Sequence, residues 1–304
     1  MLRIENLTKT YSSGFIPRRT TAVCNLNLEI EKGEVFAFLG ANGAGKTTTI
    51  KAILNIISPT EGRIWIMGID NRQKEARRKV GFLPDQPYFY DYLTAKEFLF
   101  FTARLYGMPK TEISKKIYSL LELVGLHEDA YLHLRKYSRG MLQRLAFAQA
   151  LINDPELLIL DEPMTGLDPL GRKQFRDIIL GLKERKKTIF FSSHILSDAE
   201  LIADRVGIIN KGHLVNIGKL DDLLETQIQE VEITFQINNS QLPELKKQYP
   251  NLISRDSKVL IKVPSEQHTM EVIRELETRG GHLISVIPHK RNLEEIFVEE
   301  IKRS

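Results

Sequence analysis

The sequence contains a single cysteine and a single tryptophan in 304 residues, and its net charge is only +4. One cysteine excludes an internal disulfide and a zinc site built from several cysteines, and it fits a reducing compartment. The weak charge gives no reason to expect nucleic acid as a partner. No apolar run approaches the roughly 20 residues of a membrane-spanning helix, and the first residues lack the apolar block of a secretory signal. We therefore expect a soluble protein of the cytoplasmic type.

Composition and length favour a globular chain of two domains. Hydrophobic residues make up 42% of the chain and charged residues 27%, which excludes a disordered or fibrous protein. At about 150 residues per domain, the length predicts two domains. The pattern changes after about Leu224, because apolar and polar residues alternate from Val231 to Ile237. We therefore predict domains of residues 1–224 and 225–304.

Continuous apolar runs in the first domain predict strands that are buried on both faces of a parallel sheet. The runs are Val35–Leu39, Leu157–Leu160 and Thr188–Phe191. A hairpin turn is expected at Asn210–His213. These strands alternate with helical segments, which is the pattern of an α/β fold.

A helical region is predicted from Thr94 to about Asn153, where Thr94 and Glu97 have the spacing of a capping box and another helix begins near Ser138. The second domain combines alternating strands with two helices, so it reads as a small α+β unit. The apolar residues expected to line the first of these two helices are Met270, Ile273 and Leu276.

A glycine-rich segment follows the first apolar run and precedes a segment of helical spacing from Ile50 to Ile57. It matches the P-loop pattern and reads Gly40-Ala41-Asn42-Gly43-Ala44-Gly45-Lys46-Thr47. Glycine lets successive backbone N–H groups turn towards phosphate oxygens, and the helix directs its positive end at the same place. We expect Lys46 to reach the β- and γ-phosphates and the Thr47 hydroxyl to ligate Mg²⁺, with Thr48 also in the phosphate site.

Two acids, Asp161 and Glu162, come directly after the apolar run Leu157–Leu160. Side chains at the carboxyl end of a parallel strand face the ligand crevice of the sheet. We expect Asp161 to hold Mg²⁺, usually through water, as in other P-loop enzymes. Glu162 is the candidate that accepts a hydrogen bond from an attacking water molecule and polarises it.

Four further features accompany the P-loop and the two acids, and they are Tyr11, Tyr137–Met141, Gly166–Asp168 and His194. Together and in this order, they make residues 1 to about 220 resemble the ATP-binding subunit of an ABC transporter of the exporter type. The features are similar to that family's adenine-stacking aromatic, signature sequence, D-loop and switch histidine, respectively. The resemblance implies a P-loop NTPase cassette with a mixed core sheet flanked by helices, an antiparallel β subdomain and a helical subdomain, followed here by the C-terminal α+β domain.

The resemblance also implies a mechanism. Two subunits pair head to tail, as a homodimer or with a second cassette, and each ATP lies between one chain's P-loop and the other chain's signature sequence. Ser138 and the backbone of Gly140 contact the γ-phosphate across the interface, at a helix N-terminus suited to anions. His194 bonds to the same phosphate, and Asp168 belongs to the nucleotide site. ATP and Mg²⁺ are the implied ligands, and hydrolysis opens the dimer.

Three positions depart from the family pattern. Arg139 stands where many members have glycine, and it either offers a cation to the partner's nucleotide or is solvated. Asp85 occupies the usual position of the Q-loop glutamine and Gln86 follows one residue late, so either could bind nucleotide, and Asp85 could bind Mg²⁺. Ser12–Arg19 lengthens the segment after Tyr11, and we expect a solvated loop there.

The resemblance implies an ATPase that drives export through a separate integral-membrane permease, at the inner face of the cell membrane. In relatives, the neighbourhood of the aromatic segment Pro87–Leu93 receives a cytoplasmic helix of that permease. An importer subunit or a ribosome- or DNA-associated ABC ATPase is the alternative, although the latter typically carries two cassettes or a long coiled coil. A GTPase is disfavoured because Asn210–His213 lacks the acid that recognises guanine, and a binding-only module has no need for Glu162.

Overall fold

The computed structural model describes residues 1–13, 18–224, 228–237, 242–249, 251–264, 266–290 and 292–303. The chain forms two compact units. One comprises Met1–Leu220 with the last residues from Glu300 onwards, and the other comprises Asp221–Glu299. Within the described residues, no helix is both long and apolar enough to cross a membrane.

The elements of the first unit are, in chain order, β1 (Leu2–Ser13), β2 (Arg18–Ile30), β3 (Val35–Leu39), α1 (Lys46–Ile53), β4 (Glu61–Ile66), β5 (Ile69–Asp70), β6 (Val80–Leu83), α2 (Ala95–Leu105), α3 (Lys110–Leu123), α4 (Arg139–Ala150), β7 (Leu157–Leu160), α5 (Pro169–Glu184), β8 (Thr188–Ser193), α6 (Leu196–Glu200), β9 (Arg205–Asn210) and β10 (His213–Lys219). A short helix, α7 (Leu220–Leu223), follows.

A mixed six-stranded sheet forms the centre of this unit, with the strand order β10-β9-β3-β8-β7-β6. Every neighbouring pair from β9 to β6 is parallel, and only β10 is antiparallel to its neighbour. All residues of β3, β7 and β8 are buried, as their apolar runs predict. The parallel arrangement places the carboxyl ends of β3, β7 and β8 at one edge of the sheet, where the P-loop and the two acids begin.

A second, antiparallel sheet has the strand order β2-β1-β4-β5. Its inner residues belong to the same hydrophobic cluster as Phe36, Phe38 and Phe190 of the central sheet. The loop expected at Ser12–Arg19 is shorter than predicted, because β1 and β2 continue to Ser13 and from Arg18. Residues 14–17 of that loop lie outside the described residues.

The helices α2, α3 and α4 occupy the region predicted to be helical. The Thr94–Glu97 capping box is confirmed, since each side chain bonds the other residue's backbone N–H. The helix α1 ends at Ile53, earlier than the spacing up to Ile57 predicts. Asn55 has a φ of +53°, a left-handed conformation that cannot continue an α-helix, and this ends the helix.

The second unit contains β11 (Ile228–Gln236), α8 (Leu242–Gln248), β12 (Ile253–Arg255), β13 (Lys258–Val263), α9 (Glu266–Thr278), β14 (His282–Lys290) and α10 (Leu293–Arg303). Its antiparallel sheet has the strand order β12-β13-β11-β14. Val231, Ile233 and Phe235 of β11 form its hydrophobic core with Val272, Ile273 and Leu276 of α9. The prediction that Met270 lines this face is wrong. Its side chain is exposed, because the buried face of α9 is centred on positions 272, 273 and 276.

Candidate functional site

The P-loop connects β3 to α1 and runs close to the backbone of other elements. A Cβ atom at Gly40 would lie 2.6 Å from the carbonyl oxygen of Ile209, and one at Gly45 would lie 2.5 Å from that of Ala22. Gly45 also has a φ of +114°. Only glycine fits at both positions. At Gly43, with a φ of +81°, a Cβ atom would meet nothing within 4 Å, so this part of the loop faces open space.

Lys46, the first residue of α1, directs its amine into the curve of the P-loop. Its Nζ donates hydrogen bonds to the carbonyl oxygens of Gly40, at 2.6 Å, and Ala41, at 3.2 Å. The same nitrogen lies 3.1 Å from Glu162 Oε1, and both side chains are almost fully buried. The curve is further held by a hydrogen bond of 3.1 Å from Ala44 N to the carbonyl of Ala41. A buried ammonium group therefore stands where the P-loop predicts a phosphate contact.

The acids Asp161 and Glu162 follow β7, and Ser192 of the adjacent strand β8 connects them. Ser192 Oγ donates to Asp161 Oδ1 at 2.7 Å and accepts from the backbone N–H of Glu162 at 2.9 Å. Burial raises the pKa of the Asp161 carboxyl, whereas hydrogen bonds from Ser192 and Thr47 act in the opposite direction. Ser192 was not predicted as a site residue. Its position just before His194 at the end of a buried strand was the signal in the sequence.

Glu162 has polar neighbours on both sides of its carboxylate. His194 Nδ1 lies 2.7 Å from Glu162 Oε2, and the Thr165 hydroxyl donates to the same oxygen at 3.3 Å. The other oxygen, Oε1, is buried and accepts no hydrogen bond, although Lys46 Nζ is near. The backbone of Glu162 has a φ of +51°, which is uncommon for this residue type. The carboxylate is therefore held by the Lys46 ammonium group at one oxygen and by His194 and Thr165 at the other.

A cavity of about 180 Å³ lies in front of the P-loop. It is lined by Ala22, Asn42, Gly43, Gly45, Lys46, Thr47, Thr48, Asp85 and Glu162. Oxygen ligands are available there from the hydroxyl of Thr47 and the carboxylates of Asp161 and Asp85, which are the ligands that Mg²⁺ prefers. No group of three or more His, Cys, Asp or Glu side chains able to hold a metal occurs among the described residues. The smaller set of Thr47, Asp161 and Asp85 nevertheless fits Mg²⁺, because this ion is usually bound by one or two carboxylates together with the substrate's phosphates.

The two candidates for the Q-loop position differ in placement. Asp85 is half-buried and lines the phosphate cavity, and its charge contributes to the raised pKa of Asp161. Gln86 is exposed and lines only a neighbouring cavity of about 320 Å³, which Asp85 and Arg139 also line. The chain therefore presents a carboxylate at the cavity where the family pattern has an amide.

Several predicted nucleotide contacts do not line the phosphate cavity of their own chain. Ser138 caps α4 by accepting a hydrogen bond from Met141 N at 3.2 Å, and Gly140 lies in the first turn of that helix. Asp168 caps α5, accepting from Gly171 N at 2.8 Å. Tyr11 lies on β1, is 41% exposed and has Lys9 Nζ 5.1 Å from its ring centroid. Arg139 turns towards Gly166 of the same chain.

Comparisons with known proteins agree on one family. Residues 23–165 match the model of the ABC transporter family. An uncharacterized ABC transporter ATP-binding protein of Nostoc is 42% identical over 303 residues, covering 98% of this chain and 89% of the relative. The bacitracin transport ATP-binding protein BcrA of Bacillus licheniformis is 43% identical over 242 residues, 79% of this chain and 76% of its own.

A solved structure extends this agreement to the fold. It is a dimeric ATP-binding cassette in a post-hydrolysis state with ADP and phosphate, and it is 28% identical with a TM-score of 0.67. The match covers 73% of this chain and 99% of that one. The P-loop between β3 and α1, the acids after β7 and this similarity lead to the same conclusion: the chain belongs to the ABC transporter ATP-binding proteins, and its first unit has the fold of their ATP-binding cassette.

Proposed function

We propose that this chain hydrolyses ATP and thereby powers export through a separate integral-membrane permease. The observation that carries the proposal is the buried contact of Lys46 with Glu162, which His194 approaches from the other side, at the carboxyl ends of three parallel strands. Buried charges are costly unless they are paired, so this arrangement favours a catalytic role for the three side chains.

Each residue of the site has a distinct role in this proposal. Lys46 binds the β- and γ-phosphates, exchanging its carbonyl contacts in the P-loop for phosphate oxygens. Once Lys46 has exchanged its contact with Oε1 for phosphate oxygens, Glu162 orients and polarises the attacking water. His194, on the opposite side of the carboxylate, contacts the γ-phosphate. Thr47, Asp161 and Asp85 hold Mg²⁺, which neutralises charge on the phosphates when bound.

The proposed catalytic unit is a head-to-tail dimer with two ATP molecules at its interface. Ser138 and Gly140 lie outside the phosphate cavity of their own chain, at the start of the 12-residue helix α4, and this supports their use by the partner's ATP. The backbone N–H groups of a first helical turn favour anions. Tyr11 has an exposed ring and is proposed to stack on adenine, and Asp168 completes the interface.

The proposed docking surface for the permease is the aromatic patch formed by Tyr88, Tyr90, Tyr92 and Phe101. Tyr90 contacts Tyr88, Tyr92 and Phe101, with ring centroids 5.9 to 6.2 Å apart. Phe89, by contrast, is buried against Phe98. All four rings of the patch are exposed, and tyrosine is enriched at interface cores. The patch follows Asp85 directly, so a docked helix could sense the nucleotide site.

A related ATP-binding protein is named for the transport of bacitracin, which supports a role in transport, and we infer export as the direction. In this proposal the chain lies at the inner face of the membrane through its permease. We also propose that residues 1–224 form the cassette and residues 225–304 an accessory domain. The division of the contacts into units Met1–Leu220 and Asp221–Glu299 supports a boundary in this region.

The test is the exchange Glu162→Gln, which keeps the shape of the side chain but removes its negative charge. ATP hydrolysis should fall by at least ~100-fold, because the amide cannot accept the proton of water. ATP and Mg²⁺ should then drive the variant into a stable dimer, measured by light scattering after chromatography. Glu184→Gln, an exposed change on α5, is the matched control. Unchanged hydrolysis would exclude the role of Glu162, and a persistent monomer would contradict the ATP-sandwich dimer.

A further inference from the structure

The helix α4 is attached to the segment that follows Glu162. Gln143, in the second turn of α4, is buried, and its Nε2 donates a hydrogen bond of 3.1 Å to the carbonyl oxygen of Pro163. Pro163 is the residue next to Glu162, so this bond fixes the backbone immediately beyond the acid. A buried amide of this kind is costly to leave without its partner.

A second contact joins the first residue of α4 to the far end of the same segment. A Cβ atom at Gly166 would lie 2.8 Å from Nε, 3.0 Å from Cζ and 3.2 Å from Cδ of Arg139. The guanidinium group therefore packs against the bare backbone of Gly166, which has a φ of +79°. Arg139 is an exposed residue, but its planar group contacts Gly166 of its own chain.

The segment between the two contacts is connected to the carboxylate itself. Thr165 donates its hydroxyl to Glu162 Oε2 at 3.3 Å and its backbone N–H to the Glu162 carbonyl at 3.1 Å. Residues 163–166 therefore form a short loop with Glu162 at one end and Arg139 packed on the other. Because Glu162 has an uncommon backbone conformation, its orientation depends on these surrounding contacts.

We propose that Arg139 and Gln143 are positioning residues that hold Glu162 in its catalytic orientation through the loop 163–166. This rests on the proposed function, in which the Ser138 end of α4 contacts the partner's ATP. The same helix then connects two sites. Its first turn contacts ATP bound by the partner, and the contacts of Arg139 and Gln143 with the loop 163–166 make the orientation of Glu162 depend on the position of the helix. Full hydrolytic activity at the Glu162 of either subunit thereby requires that both ATP molecules are bound.

The first test separates positioning from binding. Gln143→Glu keeps the shape of the side chain but replaces the donor with a carboxylate that repels the Pro163 carbonyl. We expect kcat to fall about 10- to 100-fold, the usual cost of a small misplacement, while KM for ATP changes less than threefold. Gln143→Asn, which keeps the donor on a shorter side chain, should recover part of kcat. Lys136→Ala, an exposed change two residues before Ser138, is the control and should keep the original kcat.

The second test asks whether Arg139 acts by its shape or by its charge. Arg139→Lys keeps the charge but loses the planar group, so we expect it to lower kcat as much as Arg139→Gly. Full activity of Arg139→Lys would show that the charge alone matters and would overturn the proposal. Gly166→Ala should be strongly impaired, and adding Arg139→Gly should not impair it further, because both changes break the same contact.

Dimerisation distinguishes the failure of this proposal from that of the proposed function. In the Glu162→Gln background, Gln143→Glu and Arg139→Gly should still form the ATP-dependent dimer, because they act on the acid and not on ATP binding. Loss of the dimer in these double variants alone would assign Arg139 and Gln143 to the interface and overturn the positioning role. Absence of the dimer in Glu162→Gln itself would instead contradict the ATP-sandwich dimer.

Discussion

The two units of the chain bury different kinds of side chain. At the carboxyl end of the central sheet, the first unit buries Lys46, Asp161 and Glu162, none of which is more than 9% exposed. In the described part of the second unit, Thr269 is the only buried polar residue, and the core consists of aliphatic side chains with Phe235. Burying charge costs free energy, whereas burying apolar surface releases it. The charged site of the first unit therefore carries a free-energy cost that its proposed chemistry explains, whereas the core of the second unit contributes to stability.

This contrast predicts opposite responses to substitution. Changes at the buried charges should abolish activity, and their effect on stability should depend on which charge is left without a partner. Changes in the core of the second unit should lower the stability of that unit and leave ATP hydrolysis intact. The predictions below test each half of this comparison.

The largest effect is expected for Lys46→Ala. Hydrolysis should fall by more than ~100-fold, and ATP should no longer raise the melting temperature, because the phosphate contact is lost. The protein without nucleotide should also lose about 3 kcal/mol of stability, since the Glu162 carboxylate remains buried without its cation. The measurements are a hydrolysis assay and denaturant unfolding, each with and without ATP.

A second change isolates the electrostatic part of that loss. Adding Glu162→Gln to Lys46→Ala should recover most of the stability but none of the activity, because the unpaired charge has been removed. Lys51→Ala, an exposed lysine on the same helix, is the control and should behave like the original protein. A double variant as unstable as Lys46→Ala would show that the buried pair is not the cause.

The opposite response is expected for Ile233→Ala in β11, where the side chain is fully buried. The cavity should lower the free energy of unfolding of the second unit by about 2–5 kcal/mol, a large part of the stability of so small a unit. ATP hydrolysis at 25 °C should stay within twofold. Unfolding is followed by calorimetry, with the exposed Gln236→Ala on the same strand as the control. An equal loss of hydrolysis would mean that the two units do not respond independently.

The features that the sequence predicted best are those set by neighbours in the chain. The capping box of Thr94 and Glu97 and the hairpin turn at Lys211 and Gly212 each depend on a few consecutive residues. The fold of the first unit was also accessible, because the P-loop lies between an apolar run and a helical segment. Local chemistry and the order of the elements were sufficient for these predictions.

Features that depend on neighbouring strands or on register were not predictable in the same way. The role of Ser192 arises because β8 lies beside β7, which brings its hydroxyl to Asp161. The contact between Arg139 and Gly166 joins positions 27 residues apart, so no local pattern could indicate it. In the second unit, α8 and β12 were not predicted, since segments of seven and three residues are too short for a clear periodicity.

The smallest effect on nucleotide binding is expected for a change at Asp85, because this residue is only half-buried and lies at the edge of the charged site. Asp85→Gln removes one negative charge beside Thr47 and Asp161 and restores the amide of the family pattern. Without Mg²⁺, ATP should bind several-fold more tightly, because repulsion of the phosphates is reduced; with Mg²⁺, the gain should vanish, because an oxygen ligand has become weaker. The ratio of the two dissociation constants, measured by calorimetric titration, should therefore change several-fold. Gln86→Ala should leave this ratio unchanged, since Gln86 does not line the phosphate cavity, and a larger response at Gln86 than at Asp85 would assign the Q-loop role to Gln86 instead.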